Sequence, residues 1–295
     1  MSIVVGFGPD TRSAGGVRFA GQLARTTGEA VVLCCVIYDS FASPALRDFN
    51  GIDDDWRREL TGMASRALAE SRRALPDGVE VEEVVRTSRS VPDALEREGR
   101  DRGARLLVVG SASSGAFGRI GLGTTSDRLV HSARIPVGLA PSGYTPDGEP
   151  VRRLVVAIGP GPAPGPLARE VARTADWLGA SVDIVSFAVR GTARTAMSAF
   201  TDAEVYEHWT QLARDAQKAL AASLHDRAPD LEIGRHGVLN GDRWSEAVGS
   251  YPWRTGDVAV VGSSSHGGLA QVFLGSTGSR ILRTSPLPVM ILPRP

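Results

Sequence analysis

The chain has 295 residues, of which 42% are hydrophobic and 22% are charged, so it is long enough for two ordinary globular domains. Lysine plus arginine and aspartate plus glutamate both number 33, and the resulting zero net charge argues against a nucleic-acid partner. No apolar run approaches the roughly 20 residues that cross a bilayer, and the N-terminus enters a strand-like run without a basic leader. We therefore expect a cytoplasmic protein with no membrane partner.

Short apolar runs alternate with amphipathic stretches along the whole chain. The predicted strands are 2–7, 30–37, 79–86, 105–110, 135–140, 152–158, 181–189, 231–238, 257–262 and 287–292. Continuous Val- and Leu-rich runs separated by helices are typical of a parallel sheet covered on both faces. Each half is therefore predicted to be a five-stranded, doubly wound α/β domain, and such sheets bind ligands beyond the carboxyl ends of their strands.

Two kinds of amphipathic helix are predicted in each half. The helix after the first strand presents Val17, Ala20 and Ala24 in one half and Val171, Ala175 and Leu178 in the other. A longer helix lies between the second and third strands. Its predicted apolar stripe consists of Trp56, Leu60, Met63, Ala67 and Ser71, or of Val205, Trp209, Leu212, Ala216 and Ala219.

The sequence repeats itself after about 150 residues. Four landmarks return in register within one residue: 3–9 as 154–160, 107–111 as 259–263, 123–125 as 275–277, and 136–137 as 288–289. Residues between the copies are rich in turn formers and lack periodicity. The repeat predicts a first domain at 1–143, a linker at 144–150 and a second domain at 151–295.

The fourth predicted strand of each half ends in a loop rich in glycine and serine, 110–126 and 262–278. A helix is expected to begin after Gly123 and after Gly275, capped by the hydroxyls that follow. Free amides at a helix start favour a phosphate or another anion, and glycines let the backbone approach a ligand. A loop that merely turns a strand into a helix has the same composition, and both interpretations stay open.

These loops resemble the motif of the universal stress protein family, and the resemblance covers essentially the whole chain, twice. That motif is a glycine, two residues, a second glycine, nine residues, then Gly-Ser or Gly-Thr. The first glycine is Gly110 or Gly262, and the final pair is Gly123-Thr124 or Gly275-Ser276. The Pro-Val pairs at 136–137 and 288–289 also match.

The resemblance implies a Rossmann-like sheet with strand order 3-2-1-4-5 and a role in stress response. It also implies intrachain pairing of the two halves through their fifth strands; a homodimer and unidentified protein partners stay open. In the nucleotide-binding branch of the family, the loop wraps the phosphates of ATP. The implied ligand-binding residues are Gly8, Val36, Gly110, Ser113, Gly115, Gly123, Thr124 and Thr125 in the first half, and Gly159, Gly262, Ser265, Gly268, Gly275, Ser276 and Thr277 in the second.

Both halves depart from the nucleotide-binding branch in two places. Ser113 and Ser265 stand where the motif has its second glycine, and Gly8 and Gly159 stand where that branch has an aspartate beside the adenosine. ATP or another nucleotide is therefore expected to bind weakly or not at all. The second half is the favoured one because it keeps Gly-Gly at 267–268 and Gly-Ser at 275–276, the closer match to the motif. Asp127, in the first helical turn of the first half, is expected to compete with phosphate for the same amides, although the proline-rich run 160–166 could crowd the adenosine end of the second half.

No nucleophile–base pair, no carboxylate pair and no zinc-ligand frame is present in the sequence, so we expect neither a catalytic centre nor a required metal. The two cysteines, Cys34 and Cys35, are adjacent on a predicted strand and therefore point to opposite faces as buried thiols. Two alternatives to a nucleotide- or anion-binding module stay open: a protein-interaction module without nucleotide, and a weak ATPase.

Overall fold

Strands and helices alternate along the chain in a computed structural model that describes residues 1–8, 14–38, 52–112, 116–161, 165–189, 202–262 and 274–293. The chain divides into a first unit, residues 1–150, and a second unit, residues 151–295. Each unit repeats one order of elements, in which a helix separates each strand from the next.

The first unit contains a parallel sheet ordered β3-β2-β1-β4-β5. Its elements are β1 (Ser2–Phe7), α1 (Gly15–Thr27), β2 (Ala30–Tyr38), α2 (Ile52–Arg73), β3 (Val81–Ser88), α3 (Val91–Asp101), β4 (Leu106–Gly110), α4 (Thr124–Ser132) and β5 (Val137–Ala140).

The second unit has the same arrangement, with its strands ordered β8-β7-β6-β9-β10. Its elements are β6 (Arg153–Ala157), α5 (Gly165–Leu178), β7 (Ser181–Val189), α6 (Asp202–Arg227), β8 (Ile233–Gly241), α7 (Trp244–Gly249), β9 (Asp257–Gly262), α8 (Ser276–Thr284) and β10 (Val289–Leu292). The predicted fold class and the 3-2-1-4-5 order are confirmed in both units.

Helices cover both faces of the sheet, as the register of the first unit shows. Val5 pairs with Val108, which pairs with Gly138, so their side-chain positions share one face. Phe19 of α1 lies on that face, 3.1 Å from where a Cβ at Gly138 would be. The next residue, Gly6, faces the opposite side, where Leu95 of α3 packs 2.5 Å from its Cβ position. The helices α1 and α3 therefore lie on opposite faces of the sheet.

The long helices α2 and α6 bury a stripe that matches the predicted one only in part. In α6 the predicted Ala216 is buried, but Leu212 is 44% exposed and Ala213 and Leu220 are buried instead; in α2 the buried residues are Ala64 and Leu68. The remaining positions are shifted by about one residue because both sequences carry apolar residues at steps of three and four in two neighbouring registers. Among the helices within the described ranges, none is long and apolar enough to span a membrane.

Cys34 and Cys35 lie in the middle of β2, and both are buried and free of disulfide bonds. Burial raises the pKa of the Cys34 thiol to about 12, so it stays protonated at neutral pH. The prediction of buried thiols is confirmed.

Candidate functional site

Three predicted ligand residues of the first unit meet at the carboxyl edge of its sheet. Gly110 is the last residue of β4, Gly8 follows β1, and Val36 lies near the end of β2. The register pairs Gly6 with Val109 and Phe7 with Cys35. Gly110, at the end of β4, and Gly8, directly after β1, therefore lie at the carboxyl ends of neighbouring strands. In the second unit, Gly262 ends β9 and Gly159 follows β6 by two residues. Ser113, Gly115, Ser265 and Gly268 lie outside the described residues.

A buried serine holds the first unit's loop together after β4. The N–H of Gly121 donates to Ser111 Oγ at 2.7 Å, and the N–H of Ala112 donates to the Gly121 carbonyl oxygen at 2.8 Å. Ser111 is 3% exposed, and its hydroxyl lies 3.3 Å from the carbonyl oxygen of Arg119. These bonds join the end of the loop, at Gly121, to its beginning at Ser111 and Ala112. The start of α4 is therefore held close to the sheet edge.

The helix α4 begins where the sequence predicted, with Gly123 as its N-cap. The N–H of Asp127 donates to the Gly123 carbonyl oxygen at 2.8 Å, which closes the first helical turn. The N–H groups of Thr124, Thr125 and Ser126 come before that bond and have no acceptor within the helix. Three amides therefore remain at this helix end, which is the geometry that anions favour.

The cap hydroxyl comes from Ser126, not from the two threonines before it. Ser126 Oγ accepts from the Gly123 N–H at 2.9 Å and lies 3.1 Å from the Gly123 carbonyl oxygen, to which it can donate. Ser126 is buried whereas Thr124 is exposed. Sequence reasoning missed both Ser126 and Ser111 as site residues. A serine three positions after a glycine N-cap is the signal that could have found Ser126.

Asp127 lies in the first turn of α4, as expected, but its carboxylate is directed along the helix. The exposed carboxylate is 4.0 Å from Nδ1 of His131, one turn further on. His131 lies one turn towards the C-terminal end of α4, away from the amides at the helix start. The competition with phosphate that made the second half the favoured one is not supported by this geometry.

In the second unit, α8 also begins after the predicted glycine, with Gly275 as its N-cap. The N–H of Ser279 donates to the Gly275 carbonyl oxygen at 2.9 Å. Gly278 occupies the position that Ser126 has in α4, so this position supplies no hydroxyl to the helix start. A Cβ at Gly278 would lie 2.6 Å from Leu274 Cδ1, so the side chain of Leu274 fills the space that the serine hydroxyl uses in the first unit.

The two sheet edges differ in what covers the first loop glycine. In the first unit, a Cβ at Gly16 of α1 would lie 3.0 Å from the backbone nitrogen of Gly110, so helix and strand approach backbone to backbone. In the second unit, Leu167 of α5 covers Gly262, with its Cδ1 3.0 Å from the Cβ position of that glycine. At this contact α5 therefore presents an apolar side chain to the sheet edge, whereas α1 presents the backbone of a glycine.

Each unit has an ion pair with a buried carboxylate that lies away from the loop. In the first unit, the carboxylate of Glu98 in α3 accepts from Arg86 at 2.7 Å and from Arg102 at 2.5 Å. In the second unit, Nε and Nη2 of Arg153 donate to the two carboxylate oxygens of Asp257 at 3.0 and 2.7 Å. This hydrogen bonding raises the pKa of Arg153. Within the described residues, no group of three or more potential metal-ligating side chains is found.

A family model described as the universal stress protein family matches residues 1–141 and, a second time, residues 150–293. A universal stress protein of Mycobacterium tuberculosis strain H37Rv is 29% identical over 295 residues, covering 99% of this chain and 100% of that protein. One from Mycolicibacterium smegmatis is 26% identical over 313 residues, covering 98% of this chain and 96% of that protein. The crystal structure of a universal stress protein from Archaeoglobus fulgidus DSM 4304 has a TM-score of 0.62 at 17% identity, covering 100% of this chain and 98% of that one.

Proposed function

Because the chain belongs to the universal stress protein family, we propose that it is a stress-response binding protein without a catalytic centre. Its ligand is ATP, another nucleotide or a different phosphate-bearing anion, and the loop that joins β4 to α4 holds it weakly. The single observation that carries this proposal is the start of α4. Three amides without helical acceptors stand there at the end of a loop that Ser111 and Ser126 brace.

We place the stronger site in the first unit. Ser126 supplies a hydroxyl to its helix start and Gly16 brings α1 against its sheet edge without a side chain, whereas Gly278 and Leu167 occupy those positions in the second unit. A preorganised anion site loses less entropy on binding than one that must order its loop first. This proposal is the opposite of the preference expected from the sequence, which depended on the glycines at 267–268 and 275–276 and on Asp127; residues 267–268 lie outside the described ranges.

Binding is weak because the adenosine side of the site lacks its acidic residue. Gly8 stands at the position of that aspartate in the first unit and Gly159 in the second. Phosphate contacts through backbone amides remain, and many anions satisfy those contacts. We expect a dissociation constant for ATP of about 0.1–1 mM, which corresponds to roughly −4 to −5.5 kcal/mol.

We further propose that the two units pair within the chain through β5 and β10, and that the protein acts in the cytoplasm. Each of these strands ends the order of its own five-stranded sheet, and an uncovered edge strand exposes unpaired amides and carbonyls. Solution X-ray scattering of the intact chain tests the pairing, since two separated units would give a much larger radius of gyration. Sedimentation equilibrium tests whether a homodimer also forms.

Calorimetric titration of the intact chain with ATP and Mg²⁺ tests the function. Gly123→Val and Gly275→Val form a matched pair at equivalent helix starts. A Cβ at Gly123 would meet Ala112 Cβ at an ordinary 3.5 Å, so the fold tolerates the change while the branched methyls cover the amides. We expect Gly123→Val to abolish the binding heat and Gly275→Val to leave it.

The other outcomes are equally informative. Loss of binding in Gly275→Val alone would place the site in the second unit. No heat from the unchanged protein at millimolar ATP would contradict nucleotide binding and favour the interaction-module alternative. Release of inorganic phosphate from ATP, abolished by Gly123→Val, would support the weak-ATPase alternative instead.

A further inference from the structure

The loop of the first unit is hydrogen-bonded to a segment that lies outside the family motif. We call residues 142–149, which follow β5 and lead towards the second unit, the junction segment. The N–H of Gly118 donates to the Ser142 carbonyl oxygen at 2.9 Å, and the N–H of Ser142 donates to the Arg119 carbonyl oxygen at 3.0 Å. This reciprocal pair fixes the tip of the loop against the chain that leaves the first unit.

One side chain of the loop tip lies directly on the junction segment. A Cβ at Gly143 would be 2.1 Å from Cε2 of Phe117, closer than any real side chain permits. The backbone of Gly143 has φ of 77°, a left-handed conformation that glycine adopts without cost. Phe117 is 84% exposed, so a side chain at residue 143 must either turn the ring outwards or move the loop tip that carries it.

The junction segment is in turn anchored on α1. Tyr144 is buried, and its Oη donates to Gln22 Oε1 at 2.7 Å. Gln22 Nε2 donates to the Glu149 carbonyl oxygen at 2.9 Å, and the ring of Tyr144 packs edge-to-face on Phe19 with centroids 6.2 Å apart. Residues 144–149, which the sequence predicted to be part of a linker, therefore pack against α1 of the first unit.

From these contacts we infer that Gly143 is a positioning residue of the ligand loop, acting through Phe117. The loop is held at its start by α1, where Gly16 meets Gly110, and at its tip by the junction segment, which the same helix anchors. Displacing the tip strains the bonds from Ser111 that hold the start of α4 near the sheet edge. Ligand binding in the first unit thereby depends on the segment that leads into the second, an inference that rests on the proposed function of the loop.

The test compares Gly143→Ala with Gly148→Ala. Gly148 lies in the same segment with nearly the same φ, 78°, but a Cβ there would meet only Arg25 Nη1, at 3.9 Å. Both variants carry the same backbone strain, and only the first one clashes with Phe117. In hydrogen–deuterium exchange of the full chain, we expect Gly143→Ala alone to speed exchange of the Ala112, Gly118 and Gly121 amides. Its affinity for ATP should fall about fivefold, within the range of measured coupling between sites.

A second background separates positioning from general destabilisation. Removing the ring with Phe117→Ala relieves the clash, so Gly143→Ala in that background should change exchange and affinity no more than Gly148→Ala does. Equal effects of Gly143→Ala and Gly148→Ala in the unchanged background would overturn the inference, as would a Gly143→Ala effect that persists without the ring. If the unchanged protein gives no ATP heat, the proposed function fails, and the exchange comparison still decides whether Gly143 positions the loop.

Discussion

The two units have the same strand order, and α4 and α8 begin at equivalent glycines, yet the side chains beside these helix starts and sheet edges are different. Ser111 and Ser126 brace the loop of the first unit, whereas Gly278 replaces the second of these serines in the other unit. Leu167 also covers the edge of the second unit, where the first brings two backbones together. The duplicated backbone therefore keeps a helix start that can bind an anion, while among the described residues the hydroxyl at the third position after the N-cap belongs to the first copy alone.

The units also differ in where they bury charge. Asp183 is the third residue of β7, and Val32 holds the same position in β2; both are buried. Asp183 accepts from Tyr251 Oη at 2.6 Å and from the Arg235 N–H at 2.8 Å, and its Oδ2 lies 3.6 Å from an Arg153 nitrogen. The same position of the fold therefore holds a buried valine in one unit and a buried aspartate in the other. The aspartate is accommodated because Tyr251, Arg235 and Arg153 provide its hydrogen-bond and charge partners.

The largest expected effect comes from making the second unit resemble the first at that position. Asp183→Val should lower the free energy of unfolding of the second unit by about 3 kcal/mol, because it leaves buried Tyr251 and part of Arg153 without their acceptor. Urea unfolding followed by tryptophan fluorescence measures the loss. The same replacement at Asp215, an exposed residue of α6, is the control and should cost no more than about 0.5 kcal/mol. Equal costs at both positions would show that the buried network contributes nothing.

The buried carboxylate of Glu98 in the first unit predicts that stability depends on pH. Burial acts to raise the pKa of Glu98, but hydrogen bonds from Arg102 and Arg86 outweigh it, so the net pKa lies below the usual value of 4.5. A carboxyl with a lowered folded-state pKa contributes stability above its unfolded pKa and loses it as pH falls through the folded one. The stability of the first unit should therefore decrease as the pH drops below about 4.5.

Glu98→Gln isolates this contribution. At neutral pH the variant should lose about 1–2 kcal/mol, since charge-assisted hydrogen bonds become neutral ones. The difference in unfolding free energy between the unchanged protein and the variant should shrink as the solution is acidified. Urea unfolding at a series of pH values, followed by circular dichroism, measures it. A difference that stays constant into strong acid would contradict the role given to Arg86 and Arg102.

The sequence predicted the features that depend on local pattern. The strand order followed from the motif resemblance, and the helix starts followed from Gly123 and Gly275. The junction segment was assigned as a linker because Tyr144 lies among turn formers, and its burial depends on Gln22, which is distant in sequence. The contact of Phe117 with Gly143 is likewise invisible to periodicity, because two turns must first be placed by the fold. Contacts between loops are set by tertiary packing, and a single sequence carries little signal for them.

The smallest predicted effect sharpens the comparison of the two helix starts. Ser126→Ala makes α4 resemble α8 at its first turn by removing the hydroxyl that accepts from the Gly123 N–H. Loss of such a cap costs about 0.5–1 kcal/mol, and ATP binding should weaken by a similar amount, because the amides at the helix start are no longer held in place. The control is Ser132→Ala at the other end of the same helix, where an exposed hydroxyl donates to the Arg128 carbonyl oxygen at 2.8 Å. Thermal unfolding and calorimetric titration measure the two quantities. If Ser126→Ala and Ser132→Ala reduce stability equally and leave ATP affinity unchanged, the hydroxyl is only a helix cap, and the preference for the first unit must come from the close approach of Gly16 to Gly110.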